Sequence, residues 1–116
     1  MDTAGFGLGI ELFNRREFFE AHEVLEDVWR AAPSEEKKFL QGLIQVAVAL
    51  HHHSRGNPIG AGSLLKRAAK NLDGYPVEYG GIRLDLLRAS VVAWQQALES
   101  GESLPAPPRL LINASQ

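Results

Sequence analysis

The chain has 116 residues, of which 45% are hydrophobic and 22% charged, and its formal net charge is −2. This length suits one hydrophobic core, so we expect residues 1–116 to form a single helical domain. The small negative charge gives no electrostatic basis for binding nucleic acid or an anionic membrane, and neither is expected as a partner.

The composition also limits the chemistry. The sequence contains no cysteine, which excludes disulfides, a thiol nucleophile and cysteine zinc sites, so a metal would need histidine and carboxylate ligands. The sequence shows neither a signal segment nor an apolar run near the roughly 20 residues that a membrane span needs. We therefore expect a soluble cytoplasmic protein.

The first elements are helical. Residues 1–14 predict a short lead-in helix that ends near Phe13 and is weakened by its glycines. Asn14 and Glu17 have the form of a capping box, which would start a long helix near Arg15. Pro33 ends that helix at about Ala31.

Three further long helices follow. Ser34 is expected to cap a helix that continues to about Ser54 and is apolar almost all round, as is typical of a central helix. The segment 55–58 ends it and starts the next helix with Asn57 as the cap. A stripe of large apolar residues marks the last helix, which ends at Gly101, and residues 102–116 form an extended Pro-rich tail. The fold predicted is all-α, a compact antiparallel helical bundle of four main helices.

Two consecutive helices carry polar side chains within apolar stripes. At about 100° per residue, His22 and Glu26 fall on one side of the first long helix with Phe18, Phe19, Leu25 and Trp29. On the second long helix Gln41, Gln45 and His52 lie within roughly 40° of one another. Antiparallel packing would bring the two strips together, which predicts a buried polar pocket lined by His22, Glu26, Trp29, Gln41, Gln45 and His52.

One interpretation of this pocket is a binding site. His22, Glu26 and His52 would hold a divalent metal ion or contact a small polar ligand, with the two glutamines orienting them. Glu23 would be the candidate base if the protein hydrolyses a substrate. The segment resembles the H-E-x-x-H zinc motif, but Glu26 occupies the place of the second histidine. His51 and His53 project roughly 100° to either side of His52, so we expect them at the helix flank.

The other interpretation is structural. Glu26 or Gln45 would accept a hydrogen bond from a histidine, Trp29 would find a partner for its indole N–H, and the network would fix the register of the helices. The protein would then be a non-enzymatic, homodimeric interaction module whose exposed Tyr75, Tyr79 or apolar tail residues meet a partner. The sequence does not decide whether the protein is an enzyme.

Several separated motifs resemble one family. They are Asn14, Phe19-Glu20-Ala21-His22-Glu23 with Leu25-Glu26 and Trp29, Gln41-Gly42-Leu43-Ile44-Gln45 with Ala47, His52, Gly56-Asn57 and Gly60-Ala61. In this order they resemble the small prokaryotic all-helical family catalogued as domain of unknown function 309, over about residues 10–72. The resemblance implies a compact helical fold and brings no established activity. The family pattern supports His22, Glu23, Glu26, Trp29, Gln41, Gln45, His52 and Asn57 as residues of interest.

Overall fold

Five helices account for most of residues 1–112, the part of the chain that the computed structural model describes. They are α1 (Thr3–Asn14), α2 (Phe18–Ala31), α3 (Ser34–Ser54), α4 (Pro58–Leu72) and α5 (Leu84–Ser100). A small antiparallel hairpin of β1 (Glu78–Tyr79) and β2 (Ile82–Arg83) precedes α5. The predicted helical class is confirmed, whereas the hairpin was not predicted because two-residue strands are too short to show an alternating pattern.

Helix α3 lies at the centre of the packing. It contacts both α2 and α4, and it contributes nine buried residues, more than any other helix. The radius of gyration is 13.2 Å, close to the roughly 13 Å of a compact domain of this size. The antiparallel direction of neighbouring helices and the single domain stay predictions.

Helix α2 is rotated about its axis relative to the prediction. Its buried residues are Ala21, Leu25 and Val28, so the core face lies to one side of the predicted stripe and shares only Leu25 with its centre. Phe19 remains 45% exposed, and His22 and Glu26 are only half-buried. The predicted stripe follows the largest hydrophobic residues, but the position of α1 decides the buried face, because Leu25 of α2 packs against Gly9 of α1.

The segment between α1 and α2 differs from the predicted capping box. Asn14 is the last residue of α1, and its side chain bonds to the tail. Glu17 precedes α2 and makes no side-chain capping bond. The backbone N–H of Glu17 donates to the carbonyl of Leu12, and that of Arg16 donates to Phe13, which is the Schellman ending of a helix. Arg16 takes the left-handed position usually filled by glycine, with a φ of 66°.

Glycines permit the closest approaches between helices. A Cβ atom on Gly42 of α3 would lie 2.6 Å from Leu72 of α4, and one on Gly9 of α1 would lie 2.6 Å from Leu25 of α2. Both distances are shorter than any ordinary contact, so these backbones can come together only because the Cβ atom is missing.

The tail crosses the helices in an extended conformation. The side-chain amide of Asn14 donates to the carbonyl of Leu110 at 2.9 Å and accepts from its N–H at 2.8 Å. The indole N–H of Trp94 donates to Ala106, and Ile112 forms a single bridge with Ile82. Residues 102–111 form neither helix nor strand, and the last four residues of the predicted segment 102–116 lie outside the described residues.

The two tyrosines predicted to be exposed are packed instead. The rings of Tyr75 and Tyr79 lie 5.8 and 4.8 Å from that of Phe39. The Tyr75 hydroxyl donates to the carbonyl of Glu35 and accepts from the N–H of Phe39. These contacts join the segment before α5 to the start of α3, so the tyrosines are part of the fold. Within residues 1–112, no helix is both long and apolar enough to cross a membrane.

Candidate functional site

A pocket of about 130 Å³ lies between α2 and α3. It is lined by Glu26, Trp29, Gln41, Ile44 and Gln45. The structure therefore brings together Glu26 and Trp29 of one predicted strip and Gln41 and Gln45 of the other. The pocket is smaller than the roughly 300–1,000 Å³ typical of drug-sized ligands.

Trp29 has the most unusual environment in this pocket. Its indole N–H is buried and has no hydrogen-bond partner within the described chain. The Lys37 ammonium lies 4.5 Å from the centre of the ring and also donates to the Trp29 carbonyl. The partner that the structural interpretation predicted for this indole is therefore not present, and a buried unpaired donor costs about 1–3 kcal/mol.

The other polar side chains of the pocket keep free hydrogen-bonding capacity. The Gln45 side-chain oxygen accepts from Asn71 of α4 at 2.8 Å, which leaves its amino group as a donor. Gln41 is exposed. Glu26 lies 3.8 Å from Arg30, and their side chains are 42% and 63% exposed, so this ion pair is open to solvent and contributes little to stability. The pocket thus combines amide and indole donors with a carboxylate acceptor.

The two histidines predicted as ligands are not part of this pocket. The Nδ1 atom of His22 lies 2.6 Å from the carbonyl oxygen of Phe19, so the ring bonds to its own helix. His52 is half-buried near the end of α3, where its ring lies 6.3 Å from that of His51. No group of three or more histidines and carboxylates within residues 1–112 is placed to hold a metal ion. The predicted metal site of His22, Glu26 and His52 is therefore not formed.

The predicted burial of the site is also corrected. None of the polar or charged residues in the described chain is fully buried, and all six predicted pocket residues are half-buried or exposed. Glu23, the candidate base, is exposed and does not line the pocket. The polar strip of α2 lies beside the buried face of that helix, which is formed by Ala21, Leu25 and Val28.

A larger depression of about 530 Å³, which we call the histidine groove, was missed by the sequence analysis. Four separate segments line it, and its residues are Arg16, Glu17, Phe18, Phe19, Glu20, Leu50, His51, His53, Ser54, Trp94 and Pro107. The ring of His51 lies 5.2 Å from that of Phe19, and that of His53 lies 5.1 Å from Trp94. Helical periodicity put His51 and His53 at the flank of α3, but it gave no indication of what lies opposite them.

One carboxyl group with a shifted pKa, that of Asp85, lies just after the hairpin. Hydrogen bonds and the charge of Arg83 hold the pKa of Asp85 below its ordinary value, with Arg83 Nη2 2.8 Å from Asp85 Oδ2. Burial and the nearby Tyr75 raise the pKa of Tyr79. None of these groups lines the pocket or the groove, so we attribute these shifts to structural contacts.

Comparison with known proteins identifies uncharacterised relatives. The chain is 36% identical over 102 residues to an uncharacterised protein of Aquifex aeolicus (strain VF5), covering 87% of this chain and 29% of the relative. It is 41% identical over 64 residues to the uncharacterised protein YpuF of Bacillus subtilis (strain 168), covering 54% of this chain and 37% of the relative. The matches thus span about a third of the length of these two relatives.

The family is identified by its sequence pattern. The family described as Domain of unknown function (DUF309) matches residues 6–64, a range that includes most of α1, all of α2 and α3, and the start of α4. Every residue that lines the α2–α3 pocket lies within this range. The chain belongs to the family of domain of unknown function 309, as its sequence motifs predicted.

Proposed function

We propose that this chain is a ligand-binding protein whose α2–α3 pocket takes a small uncharged compound with an amide or hydroxyl group. The observation that carries this proposal is the buried indole N–H of Trp29, which has no acceptor within the described residues and belongs to a side chain that lines the pocket. An oxygen atom of a ligand would remove the cost of that unpaired donor, about 1–3 kcal/mol.

The remaining groups suit an amide. A carbonyl oxygen of the ligand would accept from the Trp29 indole and from the amino group of Gln45, while an N–H of the ligand would donate to Glu26 or Gln41. The bond from Asn71 to Gln45 orients the Gln45 amide before any ligand arrives. Such pre-orientation lowers the entropy lost on binding.

The size of the pocket limits the affinity. A pocket of about 130 Å³ accommodates a compound with a few non-hydrogen atoms, such as acetamide. At a ceiling of about 1.5 kcal/mol per atom, four atoms give at most about 6 kcal/mol, which corresponds to a Kd no tighter than about 40 µM. Binding should therefore be measured by a method suited to weak ligands.

Titration of the ¹⁵N-labelled protein with acetamide, followed by NMR, tests this proposal. We expect the Trp29 indole resonance to shift and saturate. The Trp94 indole is an internal control because its N–H already donates to Ala106. An absent or non-saturating Trp29 shift, or an equal shift of both indoles, would contradict the proposal.

A pair of variants makes the titration specific. Gln45→Leu removes a donor of the pocket and should weaken acetamide binding by about fivefold, equivalent to about 1 kcal/mol. Gln96→Leu, an exposed change on α5, should leave binding unchanged. If the polar residues were only a structural network, Gln45→Leu would lower the melting temperature and acetamide would have no saturable effect on either protein.

The tail supports self-association as a second candidate function. Leu111 and Ile112 are 41% and 67% exposed, and Ile112 lies next to β2 through its bridge with Ile82. A second copy would bury these side chains. Light scattering should then show a dimer that Ile112→Asp dissociates, and a monomer at every concentration up to the solubility limit would contradict it.

A further inference from the structure

We propose that the histidine groove binds a small organic cation of the quaternary ammonium class, held by the aromatic rings of the groove and by the carboxylates of Glu17 and Glu20. This site is separate from the α2–α3 pocket and does not depend on it. Its volume of about 530 Å³ falls within the range of small-molecule sites, roughly 300–1,000 Å³.

Aromatic rings supply the binding surface. Phe19 lines the groove and is 45% exposed, although burying an apolar ring is favourable. Its ring lies 4.9 Å from that of His22 and 5.2 Å from that of His51. Trp94 is only 5% exposed and meets His53 edge to face, so Phe19 is the most exposed ring of the groove. The faces of phenylalanine and tryptophan rings attract cations, and quaternary ammonium groups are bound through such contacts.

The charged side chains favour a cation over an anion. Glu17 and Glu20 line the groove and take part in none of the ion pairs formed within residues 1–112. Arg16 is the one guanidinium among the lining residues, so the two carboxylates outnumber it. The groove is therefore net negative, and a cation would be attracted to it.

The helix dipoles do not reverse this preference. Helix α2 begins at the groove with its positive end, and α3 ends there with its negative end. The two contributions oppose each other and are each worth only about 0.3–1 kcal/mol at an exposed position. The side chains consequently decide whether the groove attracts a cation or an anion. The Schellman ending of α1 fixes the backbone of Glu17, which lines the groove.

Tryptophan fluorescence provides a direct test, because the chain has two tryptophans. In Trp29→Phe, Trp94 is the remaining fluorophore, and it lines the groove. Titrating this variant with choline should give a saturable change in fluorescence. The uncharged isostere of choline, with carbon in place of nitrogen, should bind about two- to fivefold more weakly, since a cation–π contact at an exposed site is worth about 0.5–1 kcal/mol.

Variants that remove a carboxylate or an aromatic ring test which residues of the groove bind choline. Glu17→Gln combined with Glu20→Gln should weaken choline binding at least about fivefold. Adding Phe19→Ala to this double variant should weaken choline binding further. Glu23→Gln, an exposed change on the same helix that does not line the groove, should bind choline as the parent variant does. Circular dichroism and melting curves verify that each variant is folded.

Three results would overturn the proposal: no saturable change with choline, equal binding of the isostere, or unchanged binding in the doubly substituted variant. The Trp29→Phe background already removes the indole donor of the α2–α3 pocket. Success or failure here is therefore independent of the acetamide titration.

Discussion

At the scale of single residues, the two tryptophans show how the environment assigns different roles to the same side chain. The indole N–H of Trp94 donates to Ala106 at 3.0 Å, whereas that of Trp29 is buried without a partner. Trp94 is satisfied because the tail passes over it. No acceptor within the described chain reaches the indole N–H of Trp29, and this difference makes Trp29 the centre of the proposed site.

Another residue-scale feature is the Arg83–Asp85 pair, whose effect on titration can be measured. The pKa of Asp85 is lower in the folded protein than its ordinary value, so the pair stabilises the fold above the unfolded pKa. That contribution is lost as the pH falls through the folded pKa. Arg83→Gln should raise the pKa of Asp85 towards its ordinary value, as followed by NMR titration of the carboxyl carbon.

Arg88→Gln is the matched control, because Arg88 pairs with Asp73 and not with Asp85. It should leave the titration of Asp85 unchanged. An Asp85 midpoint that does not move in Arg83→Gln would show that the guanidinium is not the cause of the shift.

At the scale of elements, helix ends were predicted better than helix faces, although Pro33 precedes α3 and Ser34, expected as its cap, is its first residue. Asn57 caps α4 by accepting from the N–H of Gly60, and Gly101 ends α5 in the left-handed conformation, both as predicted. The rotation of α2 was predicted wrongly. A helix end depends on the residues at that point in the chain, whereas a helix face depends on which neighbour comes closest.

The close contact of α3 with α4 gives an element-scale prediction. Gly42→Ala would place a Cβ atom 2.6 Å from Leu72, so it should lower the free energy of unfolding by about 1–3 kcal/mol despite the better helix propensity of alanine. Urea denaturation measures this change.

Gly62→Ala on α4 is the control, because its Cβ would meet nothing within 4 Å. It should raise the free energy of unfolding by about 0.5–1 kcal/mol. Gly42→Ala that is as stable as the wild type would show that α3 and α4 are not packed this closely.

At the scale of the whole molecule, Asn14 is one of several residues that hold the tail against the helices. Asn14 makes two hydrogen bonds with the backbone of Leu110, 96 residues away. Asn14→Ala should therefore speed hydrogen exchange at the Leu110 amide and at the Trp94 indole, because both are held by the docked tail. Exchange measured by NMR tests this, with the exposed Arg15→Ala as the control. Unchanged protection of Leu110 would contradict it.

The sequence predicted some of the residues that line the α2–α3 pocket. It placed Glu26, Trp29, Gln41 and Gln45 on two facing strips, and these four side chains line one pocket. It also placed His22 and His52 there, because periodicity gives directions around a helix but does not show which residues of the neighbouring helix lie opposite. His51 and His53 were set aside, although both line the larger groove.

The sequence by itself determined the helical class, most helix ends, the extended tail and the family, because glycine, proline, caps and hydrophobic spacing act locally. Only the tertiary structure decided the rotation of α2, the partnership of Asn14 with Leu110 and the meeting of Phe19, His51, His53 and Trp94 in one groove. Those features depend on close packing between segments far apart in the chain. Such packing is set by shape, for which a hydrophobic pattern carries no information.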